Sequence, residues 1–239
     1  MSDDPQLTCV EIGGSSVETV RFDAGGHAER HDGVLPPNGG RLAIACPGLI
    51  EGTRVLGASN LGWYDVDPAI QIGLDGPADL VLNDAEAAAL GEAALRGVSD
   101  LVLISLGTGI GGAVVVGGRV VGGNLLGHIG GFSDRTCTCG RVGCLETVAA
   151  GWALPDPLDA RAIDAVAVAI ATAFDNEPLA TPALIVLGGG IARRYPAIRD
   201  RMQICIPEFN IELSAAPPGF KSASAWGLRH AIRRDALRS

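Results

Sequence analysis

The chain carries no run of lysines and arginines, and its formal net charge is −9 at pH 7. A nucleic-acid face needs clustered basic charge to meet phosphate, so no nucleic-acid partner is expected. No apolar stretch reaches the roughly 20 residues that span a bilayer, so no membrane partner is expected either. The first residues, Met1 to Gln6, are acidic and lack the basic start and apolar stretch of a secretory leader. The expected location is the cytoplasm. No segment repeats at a fixed period, which sets repeat architectures aside. Nor do the six cysteines look like a disulfide framework: three stand alone and three cluster, as suits a reducing compartment.

Apolar residues and glycine are plentiful. In 239 residues, 47% are hydrophobic and 19% charged, which describes a globular chain with core enough for one large domain or two small ones. The richest stretch runs from Leu101 to Glu146. An apolar strand, Leu101 to Leu106, enters Gly107-Thr108-Gly109-Ile110-Gly111-Gly112 and leaves as a second apolar run, Ala113 to Val116. Gly117-Gly118 then fits a tight hairpin turn, because glycine tolerates positive φ. A dinucleotide-binding fingerprint needs a helix after its glycines; here a strand follows. The loop is therefore expected to wrap a phosphate between antiparallel strands, with backbone N–H groups lining the anion site and the Thr108 hydroxyl adding a donor. A plain hairpin turn is the alternative.

The same layout occurs at the start: Leu7 to Ile12, Gly13-Gly14-Ser15-Ser16, Val17 to Phe22. As a second phosphate loop it would set Glu11 near a metal and Ser15 on phosphate; as an ordinary hairpin it would do neither. The two hairpins suggest two similar halves. Residues 24–40 read as a loop. Leu42 to Cys46 is a strand entering Pro47-Gly48, Asn60-Leu61-Gly62-Trp63 lies in a polar loop, and Leu80 to Leu82 is a strand followed at once by Asn83-Asp84. Strong helix formers fill Ala85 to Leu95. Asp84 thus sits where strand gives way to helix. It is either an N-cap or a carboxylate at a strand C-terminus, where α/β proteins place chemistry, and both can hold.

Further on, Leu145 to Gly151 reads as a short helix. Ile163, Val166, Ala167, Ile170 and Phe174 give a helical period over 159–174. Ala183 to Leu187 is a strand, Gly188-Gly189-Gly190 a third glycine turn, Ile191 to Met202 a helix, Ile211 to Leu213 a strand, and Ser222 to Leu237 a terminal helix carrying Gly227. Cys9, Cys46 and Cys205 are expected to be buried and not ligands. Cys137, Cys139 and Cys144 share one short loop, and thiolates are preferred zinc ligands. Three small loop residues, with one disulfide, are the alternative.

In order, these pieces resemble the ROK family (repressors, open reading frames, sugar kinases) of the actin-like ATPase fold. The matching segments are Glu11 to Ser15, Cys46-Pro47-Gly48, Asn60 to Trp63, Asn83-Asp84, Gly107 to Gly112, Cys137 to Glu146 (CTCGRVGCLE) and Gly188 to Gly190. The CTCGRVGCLE string is the most specific of them. The resemblance implies an α/β, two-domain actin-like ATPase (ribonuclease H-like) fold with an interdomain cleft. Residues 1–97 and the terminal helix 222–239 would form one domain, and 98–221, with the cysteines, the other. It implies an ATP-dependent sugar kinase, with Mg²⁺, acting on a sugar or cyclitol, and a homodimer.

On that resemblance Asp84 is the general base, and Asn83, Gly48, Asn60, His128 and Glu146 bind substrate. Glu11, Gly13, Gly14, Ser15, Gly107, Thr108, Gly109, Gly189 and Gly190 bind the nucleotide and its metal. Phosphoryl transfer is mostly positioning and charge neutralisation, and this inventory suits it. A structural Zn²⁺ would be held by Cys137, Cys139 and Cys144.

Departures from the family pattern are specific. Glu11 and Ser15 replace the usual Asp and Thr. His128 stands where a sugar-binding Glu is expected, and Gly131 where a His is expected that ligates zinc and touches the sugar. His128, Asp134 or water could supply the fourth ligand. The segments between Gly131 and Cys137 and between Glu146 and Gly188 are short. These changes imply a substrate other than plain glucose, a sugar or cyclitol altered at its anomeric side. They also motivate the alternative, a catalytically inactive ROK-like protein that binds a ligand or partner. No helix-turn-helix precedes Leu7, so a repressor is not expected, and the lack of a basic patch argues against polyphosphate as donor.

Overall fold

A computed structural model describes residues 6–14, 16–58, 60–122, 126–176 and 184–236. Ser15, the expected strand start at Ala183, the side chain of Phe174 and the helix end at Leu237 lie outside the described residues. The chain divides into two compact units: residues up to Leu95 together with the segment from Pro217, and Arg96 to Ala216.

In the first unit β1 (Leu7–Ile12) pairs antiparallel with β2 (Val17–Phe22), and β2 with β3 (Ala28–Asp32). β4 (Arg41–Cys46) runs parallel to β1. A small separate antiparallel sheet follows, β5 (Leu49–Glu51), β6 (Arg54–Ala58) and β7 (Trp63–Val66). Asp67 caps the single turn α1 (Pro68–Gln71), accepting from Ala69 N. β8 (Leu80–Asn83) then joins β4 in parallel and completes the order β3-β2-β1-β4-β8. α2 (Asp84–Arg96) begins without an intervening residue. β3 lies inside the stretch expected to be loop. Its sequence, Ala-Glu-Arg-His-Asp, shows no apolar alternation, and the ladder with β2 forms it. Trp63, expected in a loop, starts β7 for the same reason: pairing with β6 wins over weak local pattern.

The second unit repeats this plan. β9 (Leu101–Leu106), β10 (Ile110–Val116) and β11 (Arg119–Gly122) form an antiparallel meander. Gly117 and Gly118 make its second turn at φ +57 and +70, the paired left-handed conformation that a two-residue hairpin requires. A 3₁₀ turn (Leu126–His128), α3 (Glu146–Ala149) and α4 (Ala160–Asn176) follow. β12 (Leu184–Gly188) runs parallel to β9; after α5 (Gly189–Arg194) and α6 (Ala197–Cys205), β13 (Asn210–Leu213) runs parallel to β12. The order β11-β10-β9-β12-β13 is that of the first sheet. Val166, Ala167 and Ile170, on one face of α4, are fully buried in a core shared with Ile104, Leu106, Leu187, Ile198 and Met202.

Two expectations need correction here. The single helix over 191–202 is two, broken at Tyr195-Pro196. Proline has no N–H to continue the ladder and pushes its predecessor out of the α region, and Tyr195 sits at φ −127, ψ 68. Cys205, at the end of α6, is exposed and not buried; Cys9 and Cys46 are buried as expected.

α7 (Ser224–Ala236) returns to the first unit. Leu228 and Ile232 are buried against the β1–β2 side of its core, and full burial of such a side chain contributes about 1.5–3 kcal/mol. Its approach to α2 depends on two glycines. A Cβ on Gly91 would run into Ala223 O, and one on Gly227 into Ala87 O. Gly227→Ala is therefore expected to destabilise the protein by roughly 1–3 kcal/mol in denaturant unfolding, the range for overpacked contacts. Gly76→Ala, where an added Cβ meets nothing within 4 Å, serves as the neutral control. Equal stabilities for the two variants would refute the close crossing.

Candidate functional site

In the first unit the parallel strands β1, β4 and β8 end together. Glu11 is level with Ala45, and Cys46 with Asn83. This C-terminal edge is where open α/β sheets bind ligands. Three hydrogen bonds hold the Asn83 side chain: Nδ2 donates one of its two N–H groups to Gly48 O at 3.0 Å, and Oδ1 accepts from Ala85 N at 3.0 Å and Glu86 N at 3.4 Å. Asn83 is thus the helix cap, and Asp84 the first helical residue. Asp84 keeps one contact of its own, accepting from Ala85 N at 2.9 Å. Burial raises its pKa above the usual carboxylate range, against the lowering effect of the backbone N–H groups.

Glu11, on β1, is pushed up to about 7. Burial is the main cause; the charges of Glu18 and Asp84 add to it, and a hydrogen bond from Ser222 Oγ at 2.7 Å works against it. Glu18 lies directly across the ladder from Glu11 and is itself buried, with Arg30 Nε donating to it. The Gly13–Ser16 turn closes through Gly13 N to Ser16 O at 2.9 Å. Asn60, exposed, brings Nδ2 to 3.9 Å from where a Cβ on Gly14 would stand. Gly48 is held at φ +114, and a side chain there would collide with Gly57 O.

The second unit offers glycine at the corresponding edge. Gly107 N donates to Gly109 O at 3.0 Å, leaving the N–H groups of Thr108 and Gly109 without an acceptor among the described residues. The turn is strapped from outside: Gly151 N donates to Gly107 O at 2.9 Å and Trp152 N to Thr108 O at 3.3 Å. Beside it, Gly188 pairs with Ser105 and Gly189 takes φ +87, where a Cβ would meet Leu106 O; Gly190 faces open space. Glu146 is buried, and its Oε1 accepts from Ile110 N at 2.7 Å.

The cysteine loop folds into a cluster. Cys137 N donates to Arg141 O and Gly140 N to Cys137 O, which closes the CTCG turn with Cys137 buried and Cys139 exposed. His128, Cys137, Cys139 and Cys144 bring one ligand atom each within 4.8 Å of one another. Cys139 Sγ and Cys144 Sγ are 3.7 Å apart, and Cys137 Sγ lies 3.8 Å from His128 Nδ1. A tetrahedral zinc with Zn–S near 2.3 Å and Zn–N near 2.0 Å wants edges of about 3.5–3.8 Å, so these four residues fit the ion. Burial opposes ionisation of Cys139, but hydrogen bonds from Arg141 outweigh it and lower its pKa; burial and its neighbours raise that of Cys144. Gly131 is exposed and Asp134 is not part of the cluster.

Two sheets of one strand order, each with a glycine turn after its first strand, make up the actin-like ATPase fold. Solved structures share it. A ROK family glucokinase from Streptomyces griseus, in complex with glucose and AMPPNP, superposes with a TM-score of 0.70 at 21% identity over 96% of this chain and 99% of that one. A ROK family transcriptional regulator, a homologue of the E. coli MLC protein, gives 0.69 at 21% identity over 98% and 80%. The ROK family model matches residues 29–193, more than half of the chain, and the chain belongs to the ROK family. It is 37% identical to the N-acetylmannosamine kinase of Escherichia coli O6:H1 over 129 residues, 48% of this chain and 43% of that one. The chain spans less than half the length of the curated relatives it matches.

Sequence reasoning missed Ser222, Ser224 and Trp152. Ser222 Oγ bonds Glu11 and lies 2.7 Å from Ser224 Oγ, which donates to Asp84 O at 3.3 Å. The contacts to Glu11 and Asp84 join residues more than 100 positions apart, and a Lys-Ser-Ala-Ser string carries no signal for them. The Trp152 indole N–H is buried without an acceptor among the described residues.

The raised Glu11 pKa has a consequence for stability. In the native state this carboxyl keeps its proton up to about 7, against an ordinary value of 4.5. Native stability is thus undiminished below the ordinary value and falls as pH rises through that window. Glu11→Gln retains an acceptor for Ser222 and removes the charge. Its stability advantage should be small at pH 5 and grow to the order of 1–3 kcal/mol at pH 8, by denaturant unfolding at both values. The same advantage at both would show that the carboxyl is not held neutral.

Proposed function

We propose that this chain transfers the γ-phosphoryl group of ATP to a hydroxyl of a sugar or sugar-like polyol, with Asp84 as general base. The observation that carries it is the Asp84 carboxylate, partly buried at the C-terminal end of β8 with raised proton affinity, next to an Asn83 amide fixed by three hydrogen bonds. A base of raised pKa is better matched to a hydroxyl proton than an ordinary aspartate. Asn83, Gly48 and Asn60 orient the substrate. The unpaired N–H groups of Thr108 and Gly109, with Gly13, Gly14, Gly189 and Gly190, receive phosphate oxygens. Glu11 is the carboxylate for Mg²⁺, which neutralises phosphate charge when bound. The names of the relatives, a kinase of N-acetylmannosamine and a glucokinase, support a sugar as acceptor.

His128 and Glu146 enter differently. With His128 among the cysteines, it is read as the fourth ligand of a structural Zn²⁺, and the acceptor is a sugar or cyclitol altered at the side these residues leave uncontacted. The second reading is a ROK protein that binds a ligand without turning it over. What favours it is that the Glu146 carboxylate and the His128 imidazole are both engaged within the protein.

Phosphoryl transfer measured over hexoses, their amino and N-acetyl derivatives and cyclitols separates the two. Asp84→Asn should lower kcat at least about 10²-fold on the best acceptor while AMPPNP affinity is kept. Near-normal turnover by this variant would remove Asp84 from the mechanism, and ligand binding without turnover by the wild type would favour the second reading. Metal analysis of protein prepared without chelator should find about one zinc per chain, lost in Cys139→Ala. Zinc-free protein of unchanged stability would refute the metal site.

A further inference from the structure

Glu146 is a buried carboxylate with two attachments. Oε1 accepts from Ile110 N at 2.7 Å, the peptide that closes the Gly107–Gly109 turn, and Oε2 lies 3.7 Å from Cys137 Sγ. The backbone is cut back to admit it: a Cβ on Gly109 would stand 2.5 Å from Oε1, and one on Gly127 3.1 Å from Cγ. Glu146 is also only two residues past Cys144 and opens α3, whose first turn is fastened by Thr147 Oγ1 to Cys144 O at 2.6 Å and Arg135 to Thr147 O at 2.7 Å. Leu145 N donates to Ile129 O at 2.9 Å, next to His128. One short rigid segment therefore holds a cluster cysteine on one side and the glycine turn on the other.

We propose that Glu146 is a positioning residue that ties the Gly107–Ile110 turn to the His128/Cys137/Cys139/Cys144 cluster, so that a divalent cation in the cluster and phosphate at the turn strengthen each other's binding. This rests on the reading in which the turn receives the nucleotide. Its physical content is ordering. A cation draws four ligand atoms to fixed distances and with them the start of α3. The Glu146 carboxylate passes that order to Ile110 N–H and so to the free N–H groups of Thr108 and Gly109. A phosphate then meets donors already in place and loses less freedom on binding. Coupling is reciprocal, so each ligand must raise the affinity of the other by one factor.

The test uses the full chain in cobalt-loaded and chelator-stripped forms. AMPPNP with Mg²⁺ is titrated calorimetrically into each, and Co²⁺ into stripped protein with and without AMPPNP, followed by its thiolate charge-transfer absorption. AMPPNP should bind at least about fivefold tighter to the loaded form, within the usual range of coupling, and the same factor should appear in the Co²⁺ affinity. Glu146→Ala should bind both ligands with the factor reduced to one. Glu146→Gln, whose amide still offers Ile110 an acceptor, should recover part of it. If Glu146→Ala does not fold, the Gln variant and the two wild-type titrations decide. AMPPNP bound equally by both wild-type forms, or more weakly by the loaded one, overturns the coupling and leaves the kinase reading intact. The full factor surviving in Glu146→Ala removes Glu146 from it. No AMPPNP binding to either form brings down the kinase reading and this inference together.

Discussion

The Asn83 side chain is the constraint on which the first unit's site depends. A strand that passes into a helix with no connecting residue must satisfy the helix's first N–H groups and still keep its own end in register. One amide does both, accepting from Ala85 and Glu86 and donating to Gly48 O. The donation fixes the end of β4 against the end of β8. The acceptance relieves Asp84 of sole responsibility for the cap, so its carboxylate remains at the sheet edge. Gly48 must be glycine for this to work, since its φ of +114 and the proximity of Gly57 O leave no room for a side chain.

The two units use one strand order for opposite electrostatic ends. At the edge of the first, acidic side chains gather: Glu11, Glu18 and Asp84, with Ser222 and Ser224 supplying hydroxyls from the start of α7. Burial opposes ionisation of Glu11 and Asp84, whereas Glu18 is met by the Arg30 guanidinium. At the edge of the second, acids are replaced by glycine and bare backbone, and the carboxylate nearby, Glu146, turns inward to an N–H group. One edge is suited to cations and hydroxyl protons, the other to anions. Under the proposed kinase reading, the two edges divide phosphoryl chemistry between them with no change to the sheet order.

What could be read in the sequence was whatever acts locally. Glycine needs no partner to reveal a left-handed turn, so Gly117-Gly118 and the turn after β9 were visible, as was the junction at Asn83-Asp84, where a strand pattern stops against helix formers. Polar strands such as β3, and the small sheet β5–β7, were not, because their stability comes from neighbours and not from their own alternation. The break at Pro196 was legible in principle, because proline cannot continue a helical ladder. The chain could also say that a carboxylate lay at residue 146. It could not say that the carboxylate answers to Ile110, because only the folded turn brings position 110 to position 146.

The cysteine loop gathers three thiols and one imidazole into a cluster. An imidazole at residue 128 sits at the end of a 3₁₀ turn and delivers Nδ1 to 3.8 Å from Cys137 Sγ, whereas residue 131 is a glycine at φ +100 that offers the cluster nothing. The loop from 132 to 143 folds back through Phe132 N to Gly143 O and Gly143 N to Arg135 O, keeping the three thiols beside the turn that carries His128. Residue 128 is also the position at which the family resemblance places a carboxylate, and here it is an imidazole. With Nδ1 turned to the thiols, the His128 imidazole keeps only Nε2 for any other partner.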